Sequence, residues 1–95
     1  MRIRWTKAAS QDLDNIEEYI REYNPKAAIK QVLRVIDAVE TKLSNSPGMG
    51  KPGRIAETRE FYVTGSPYIV AFRINENTME ILRVIHGARQ WPQKM

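Results

Sequence analysis

The sequence predicts an α+β domain in which an antiparallel sheet carries a helical hairpin on one face, in the order β, α, α, β, β, β. Three observations carry that expectation. Apolar residues recur every three or four positions from residue 13 to residue 43, they alternate every second position from residue 57 to residue 85, and prolines and glycines cluster between the two regions. No repeat, low-complexity tract or linker interrupts the chain, so residues 1–95 are expected to form one domain around one core.

The opening stretch Arg2-Ile3-Arg4-Trp5-Thr6 alternates polar and apolar residues over the length of a short strand, with Trp5 as a core residue. A helix follows from Lys7. Leu13, Ile16, Ile20 and Tyr23 form its apolar stripe, Thr6 stands where a cap is needed, and acids occupy the other faces. Asn24-Pro25 ends it, because the residue before a proline avoids helical geometry, and Pro25 suits the first turn of a second helix. Ile29, Val32, Ile36, Val39 and Leu43 read as the second stripe, and so short a connection makes the helices antiparallel neighbours. Pro47, Gly48, Gly50 and Pro52 then leave a basic loop carrying Lys51 and Arg54.

Strands are expected over residues 57–64, 68–74 and 79–85, separated by turns at Gly65-Ser66-Pro67 and Asn75-Glu76-Asn77. Phe61, Val63, Val70 and Phe72 share the side that the hairpin must cover. Period-two alternation therefore turns Glu60, Tyr62, Ile69, Ala71 and Arg73 to the other side. Tyr62, Ile69 and Ala71 would form an apolar strip there, with Arg73 and Arg83 nearby, and such a strip rimmed by charge marks a partner surface unless the C-terminal tail or another copy covers it.

Hydrophobic residues make up 42% and charged residues 27%, close to ordinary globular usage, so neither a disordered chain nor a membrane span is expected. The charged segment Met1 to Trp5 lacks the apolar run of a signal peptide, and without cysteine there is no disulfide framework, so the cytoplasm is the expected address. Net charge is +4, and the excess lies in the second half, where Arg83, Arg89 and Lys94 follow Glu80 with no further acid. A field of this sign attracts nucleic acid or an acidic protein. Gly-rich phosphate loops, metal-ligand spacings and nucleophile elbows are missing, so neither a metal nor a cofactor is expected. His86, the one histidine, is followed by Arg89, an arrangement that suits proton transfer beside a phosphate, although a histidine at a strand end also serves structural roles.

Several segments coincide along nearly the whole chain: Asp12-Leu13 and Ile16 in the first helix, Pro25-x-x-Ala28 opening the second, and Leu43-x-x-x-Pro47-x-x-Gly50. Arg59, the run from Tyr68 to Arg73, and Ile81-Leu82-Arg83-Val84-Ile85-His86-Gly87-x-Arg89 continue the pattern. The chain resembles the RelE/ParE toxin family, most closely the ParE-like plasmid-stabilisation proteins. That resemblance implies a growth inhibitor bound by a cognate antitoxin, with operator DNA contacted only through the antitoxin. Two targets occur in such a family, DNA gyrase for ParE-like members and mRNA on the ribosome for RelE-like endonucleases.

Departures from the RelE-like pattern favour gyrase, a target for which the chain would need to be only a poison, whereas on the ribosome it would be an mRNA endoribonuclease. Ile69 stands where an arginine is expected, Glu60 and Tyr62 stand in place of lysines, and a tyrosine beyond Arg89 is missing. A carboxylate beside an RNA phosphate repels it. Were the chain an endoribonuclease, Glu60, Arg73, Arg83, His86 and Arg89 are the candidates for its site. The expected antitoxin surface is Tyr62, Ile69, Ala71, Arg73 and Arg83, and the expected target surface is Arg83, His86, Arg89 and Trp91.

Overall fold

The computed structural model describes residues 1–94. Strand β1 (Arg2–Trp5) leads into helices α1 (Lys7–Arg21) and α2 (Pro25–Asp37), after which β2 (Lys51–Pro52), β3 (Arg59–Tyr62), β4 (Tyr68–Asn75) and β5 (Thr78–His86) complete the sheet. Both helices begin where side-chain chemistry allows. The Thr6 hydroxyl accepts from the backbone N–H of Ala9 at 3.1 Å, and the Asn24 side chain accepts from Ala27 at 3.2 Å with Pro25 in the first turn.

Beyond Asp37 the second helix widens into a π turn, Ala38–Leu43, whose end is marked by the Ser44 N–H bonded to the Val39 carbonyl at 3.0 Å. The apolar stripe expected on α2 is rotated. Ala28, Val35, Ala38, Val39 and Leu43 are buried, whereas Ile29 and Leu33 face solvent and Val32 and Ile36 are half-buried. Small residues let α2 approach its neighbours closely, and the larger Ile29 is left outside.

The sheet order is β1-β5-β4-β3-β2, with β1 parallel to β5 and every other pair antiparallel. It is therefore a mixed sheet, where an antiparallel one was expected. Alternation within β1 encodes which face is buried but not the strand it will join, so the parallel pairing had no local signal. The fifth strand, β2, is two residues of the expected loop paired with Glu60 and Arg59. Pro52 sits at the sheet's edge, where a missing N–H costs no ladder bond.

Phe61, Val63, Val70 and Phe72 form the core beneath the hairpin with Val35, Val39, Leu43, Met79 and Ile81. Trp5 packs against this cluster, as a core residue should. The turn at Glu76 and Asn77 holds two successive left-handed residues, at φ 53° and 61°, which is the geometry a two-residue hairpin prefers. A bulge shifts the register between Ala71 and Phe72, so that Phe72 faces Ile81, Ala71 faces Arg83 and Leu82 is the extra residue. Ile81 and Val84 consequently both belong to the core although they are three residues apart.

Gly50 passes directly over the buried Phe72 ring, and a Cβ there would lie 2.5 Å from the ring edge. Gly50→Ala should lower the unfolding free energy by about 1–3 kcal/mol through overpacking. Urea denaturation measures it, and an unchanged midpoint would show that the ring has room to move.

Candidate functional site

Strand alternation sends Ile69 and Ala71 away from the hairpin, as expected, yet they are only 4% and 1% exposed. The strip is covered by the chain itself. Glu60, also buried on that face, accepts from the backbone N–H of Arg54 at 2.8 Å and from its guanidinium at 3.0 and 3.2 Å. The Arg54 guanidinium in turn lies 3.8 Å from the centre of the Trp91 ring. Loop and tail are thereby fixed over the outer face, and the start of the tail at Gly87 runs close against Ile69. Tyr62 and Arg73 remain exposed, but the expected apolar partner surface of Ile69 and Ala71 is internal, because a carboxylate on this face draws Arg54 and then Trp91 across it.

Burial pushes the Glu60 carboxyl upward and is outweighed by the Arg54 side-chain and backbone hydrogen bonds, which leave it below the ordinary carboxylate range. Arg73 is likewise engaged. Its Nε donates to Glu80 at 2.6 Å, and Arg4 from β1 binds the same carboxylate. These bonds, those of Arg4 first, hold the Glu80 carboxyl below its usual value.

A different place gathers Arg83, His86 and Arg89. Asp12 on α1 accepts from Arg83 Nε at 2.7 Å, from Arg83 Nη2 at 2.9 Å and from the backbone N–H of Val84 at 2.9 Å. Because β1 pairs with β5 only as far as Ile81, this carboxylate takes over the strand edge that β1 leaves open. Beside the clamp lies a groove of about 440 Å³ between α1, the end of β5 and the tail, into which Tyr19, Tyr68, Arg83, His86 and Arg89 project.

His86 stands edge-on to the Tyr68 ring, and its Nδ1 accepts from the Ala88 N–H at 3.0 Å. Burial raises the Tyr68 phenol above its ordinary value, so its hydroxyl stays a donor. The five candidates for a nuclease site thus do not converge: Glu60 and Arg73 are bound into ion pairs on the outer face, while Arg83, His86 and Arg89 share the groove. Trp91, expected on the target surface, is instead half-buried against Arg54. Asp12, Tyr19 and Tyr68 were missed. Asp12 was visible in the sequence as a helix acid, but only the fold brings it to Arg83, 71 positions away. Among the described residues no group of three or more acids and histidines could hold a metal ion, and no helix is long and apolar enough to cross a membrane.

The family described as ParE toxin of type II toxin–antitoxin system, parDE, matches residues 3–91. Y4kP of Sinorhizobium fredii, named as a toxin, is 46% identical over 92 residues, spanning 97% of this chain and 94% of the relative. Toxin RelE2 of Caulobacter vibrioides is 33% identical over 90% of this chain and 93% of its own length. Among solved structures, a chain of the chromosomal ParDE system from P. aeruginosa superposes with a TM-score of 0.82 at 27% identity, covering 90% of this chain and 95% of that one. A chain of the RelBE2 toxin–antitoxin complex from Mycobacterium tuberculosis gives 0.67 at 28% identity over the same shares.

The lowered Glu60 and Glu80 carboxyls make stability depend on pH with a definite sign. Their contribution is complete above the unfolded-state carboxylate value of about 4.3 and is lost as pH falls through the lower folded values. Thermal melting should therefore hold steady from about pH 7 to 5 and decline below about pH 4. In Glu60→Gln the decline should be shallower. Equal slopes in the two proteins would show that Glu60 is not held down by Arg54.

Proposed function

The chain belongs to the ParE toxin family of type II toxin–antitoxin systems, and we propose that it arrests growth by poisoning DNA gyrase and is neutralised by a cognate antitoxin lying on its helical hairpin. What supports gyrase over mRNA cleavage is the division of the candidate acid–base residues between two places. General acid–base cleavage of RNA needs a proton donor and acceptor within hydrogen-bond reach of one phosphate. Here Glu60 already accepts three bonds from Arg54 on the outer sheet face, while His86 lies in the groove beside α1. A poison of another enzyme needs no such constellation, since the bond-breaking chemistry belongs to the enzyme that is trapped.

The support for the antitoxin's position is exposed apolar surface. Tyr19, Tyr23, Ile29 and Leu33 project from the two helices, with Tyr23 as open as 74%. Tyr19 and Tyr23 stack edge-on with ring centres 5.6 Å apart, a rigid aromatic pair of the kind that anchors interfaces. A hairpin with large side chains turned to water on both helices is suited to a partner's apolar segment.

Two outcomes are expected. His86→Gln keeps an N–H donor at that position and removes only the capacity for proton transfer, so growth arrest and accumulation of gyrase–DNA cleavage complexes should stay close to wild type, whereas an mRNA endonuclease that used His86 would slow by about 10² to 10⁴. Purified gyrase cleavage run beside primer extension on translating ribosomes decides it, and codon-spaced cuts with unaffected gyrase would reverse the assignment. Leu33→Asp should weaken antitoxin binding by at least about tenfold, because it sets a charge against a buried apolar contact. Calorimetry against the co-expressed antitoxin measures this, and unchanged affinity would move the antitoxin off the hairpin.

A further inference from the structure

The groove between α1 and the end of β5 is rich in donors and nearly empty of free acceptors. Both oxygens of Asp12 are engaged by Arg83 and the Val84 N–H. The Asp12 charge is therefore cancelled within the groove, and Arg89 is left as its unpaired cation among the described residues. His86 accepts through Nδ1 from the Ala88 N–H, which leaves Nε2 as the donor nitrogen of the neutral ring. The Tyr68 hydroxyl is a third donor. Between these lie Ile16, Val84 and Pro92, which make the floor apolar.

We propose that this groove receives an acidic segment of the gyrase target, a peptide carboxylate seated on Arg89 with apolar neighbours packed on Ile16 and Pro92. The proposal rests on the gyrase reading above and gives that target a place and a chemistry. A guanidinium binds a carboxylate through two parallel hydrogen bonds, and Tyr68 and His86 stand ready to complete the oxygen's shell. Nucleic acid is the other oxyanion source, and the groove fits it poorly. Phosphate backbones are held by rows of cations, each neutralising one charge, whereas the groove offers one unpaired cation among the described residues and much of its lining is apolar.

Tyr19 gives the groove a link to neutralisation. It forms a wall of the groove and is also one of the exposed residues of the hairpin. A segment lying on the hairpin would cover the groove's mouth, so that antitoxin and target compete without the antitoxin having to enter.

The test is surface plasmon resonance of the full chain on immobilised gyrase holoenzyme, with circular dichroism melting as the folding control. Among the described residues Arg89 has no side-chain hydrogen-bond or ion-pair partner, so Arg89→Glu should fold normally and lose at least about tenfold in affinity, while Arg89→Lys should keep most of it. A photo-crosslinker at Gln90 should land on an acidic stretch of a gyrase subunit. Wild-type protein that does not bind gyrase would fell the target reading and this occupant with it. Wild-type protein that binds, with Arg89→Glu binding equally well, would fell the groove alone. Crosslinks to DNA, or to a stretch without acids, would overturn the peptide carboxylate.

Discussion

Strand β4 is buried through five consecutive residues, Tyr68 to Phe72, while helices cover only one side of the sheet. An antiparallel strand in so small a protein commonly leaves one face to water. Burying both faces requires a second layer, and here that layer is made of a loop and a tail. Ile69 alone gains roughly 1.5–3 kcal/mol from being covered. The cover holds because a buried carboxylate, Glu60, anchors Arg54, and Arg54 supports Trp91. The basic loop, the C-terminal tail and the fate of the outer face all follow from that double burial.

The β-bulge is the second determinant, and it acts on the opposite side of β5. One extra residue at Leu82 brings Ile81 and Val84 both into the core and leaves Arg83 to be gripped by Asp12. The ion pair joins the first helix to the last strand where β1 has already ended. It also lines the groove with a neutralised pair in place of a second free cation. A feature of backbone register thus decides the charge of a surface.

Element types were legible in the sequence because periodicity, caps and turn residues are local. Thr6, Asn24-Pro25 and Asn75-Glu76-Asn77 each announced a boundary that the fold keeps. Which side of β3 and β4 meets the hairpin was also legible, from the spacing of Phe61, Val63, Val70 and Phe72. What alternation cannot encode is the covering of the other side, because Arg54 and Trp91 reach it from irregular segments. The parallel pairing of β1, the rotation of α2 and the pairing of Asp12 with Arg83 are likewise matters of distant parts of the chain. For the candidate site the sequence offered residues without their grouping, and the fold separates Glu60 and Arg73 from His86 and Arg89.

Net charge of +4 suggests a nucleic-acid surface only if the cations are free to act as one. In the basic second half they are mostly committed: Arg54 to Glu60, Arg73 to Glu80, Arg83 to Asp12, and Arg59 to the Gly50 carbonyl. Lys51 lies over the Tyr62 ring at 4.2 Å. A paired arginine releases little on meeting a phosphate, since its carboxylate must first be displaced or left beside the new anion. The charge excess thus contributes a long-range field that hastens encounter with an acidic partner, while of the arginines in this half Arg89 alone has no carboxylate or carbonyl partner among the described residues. Such a balance suits recognition of folded protein and acidic peptide better than tracking of a phosphate backbone, and it is reached by pairing charges within the fold, not by lowering their number.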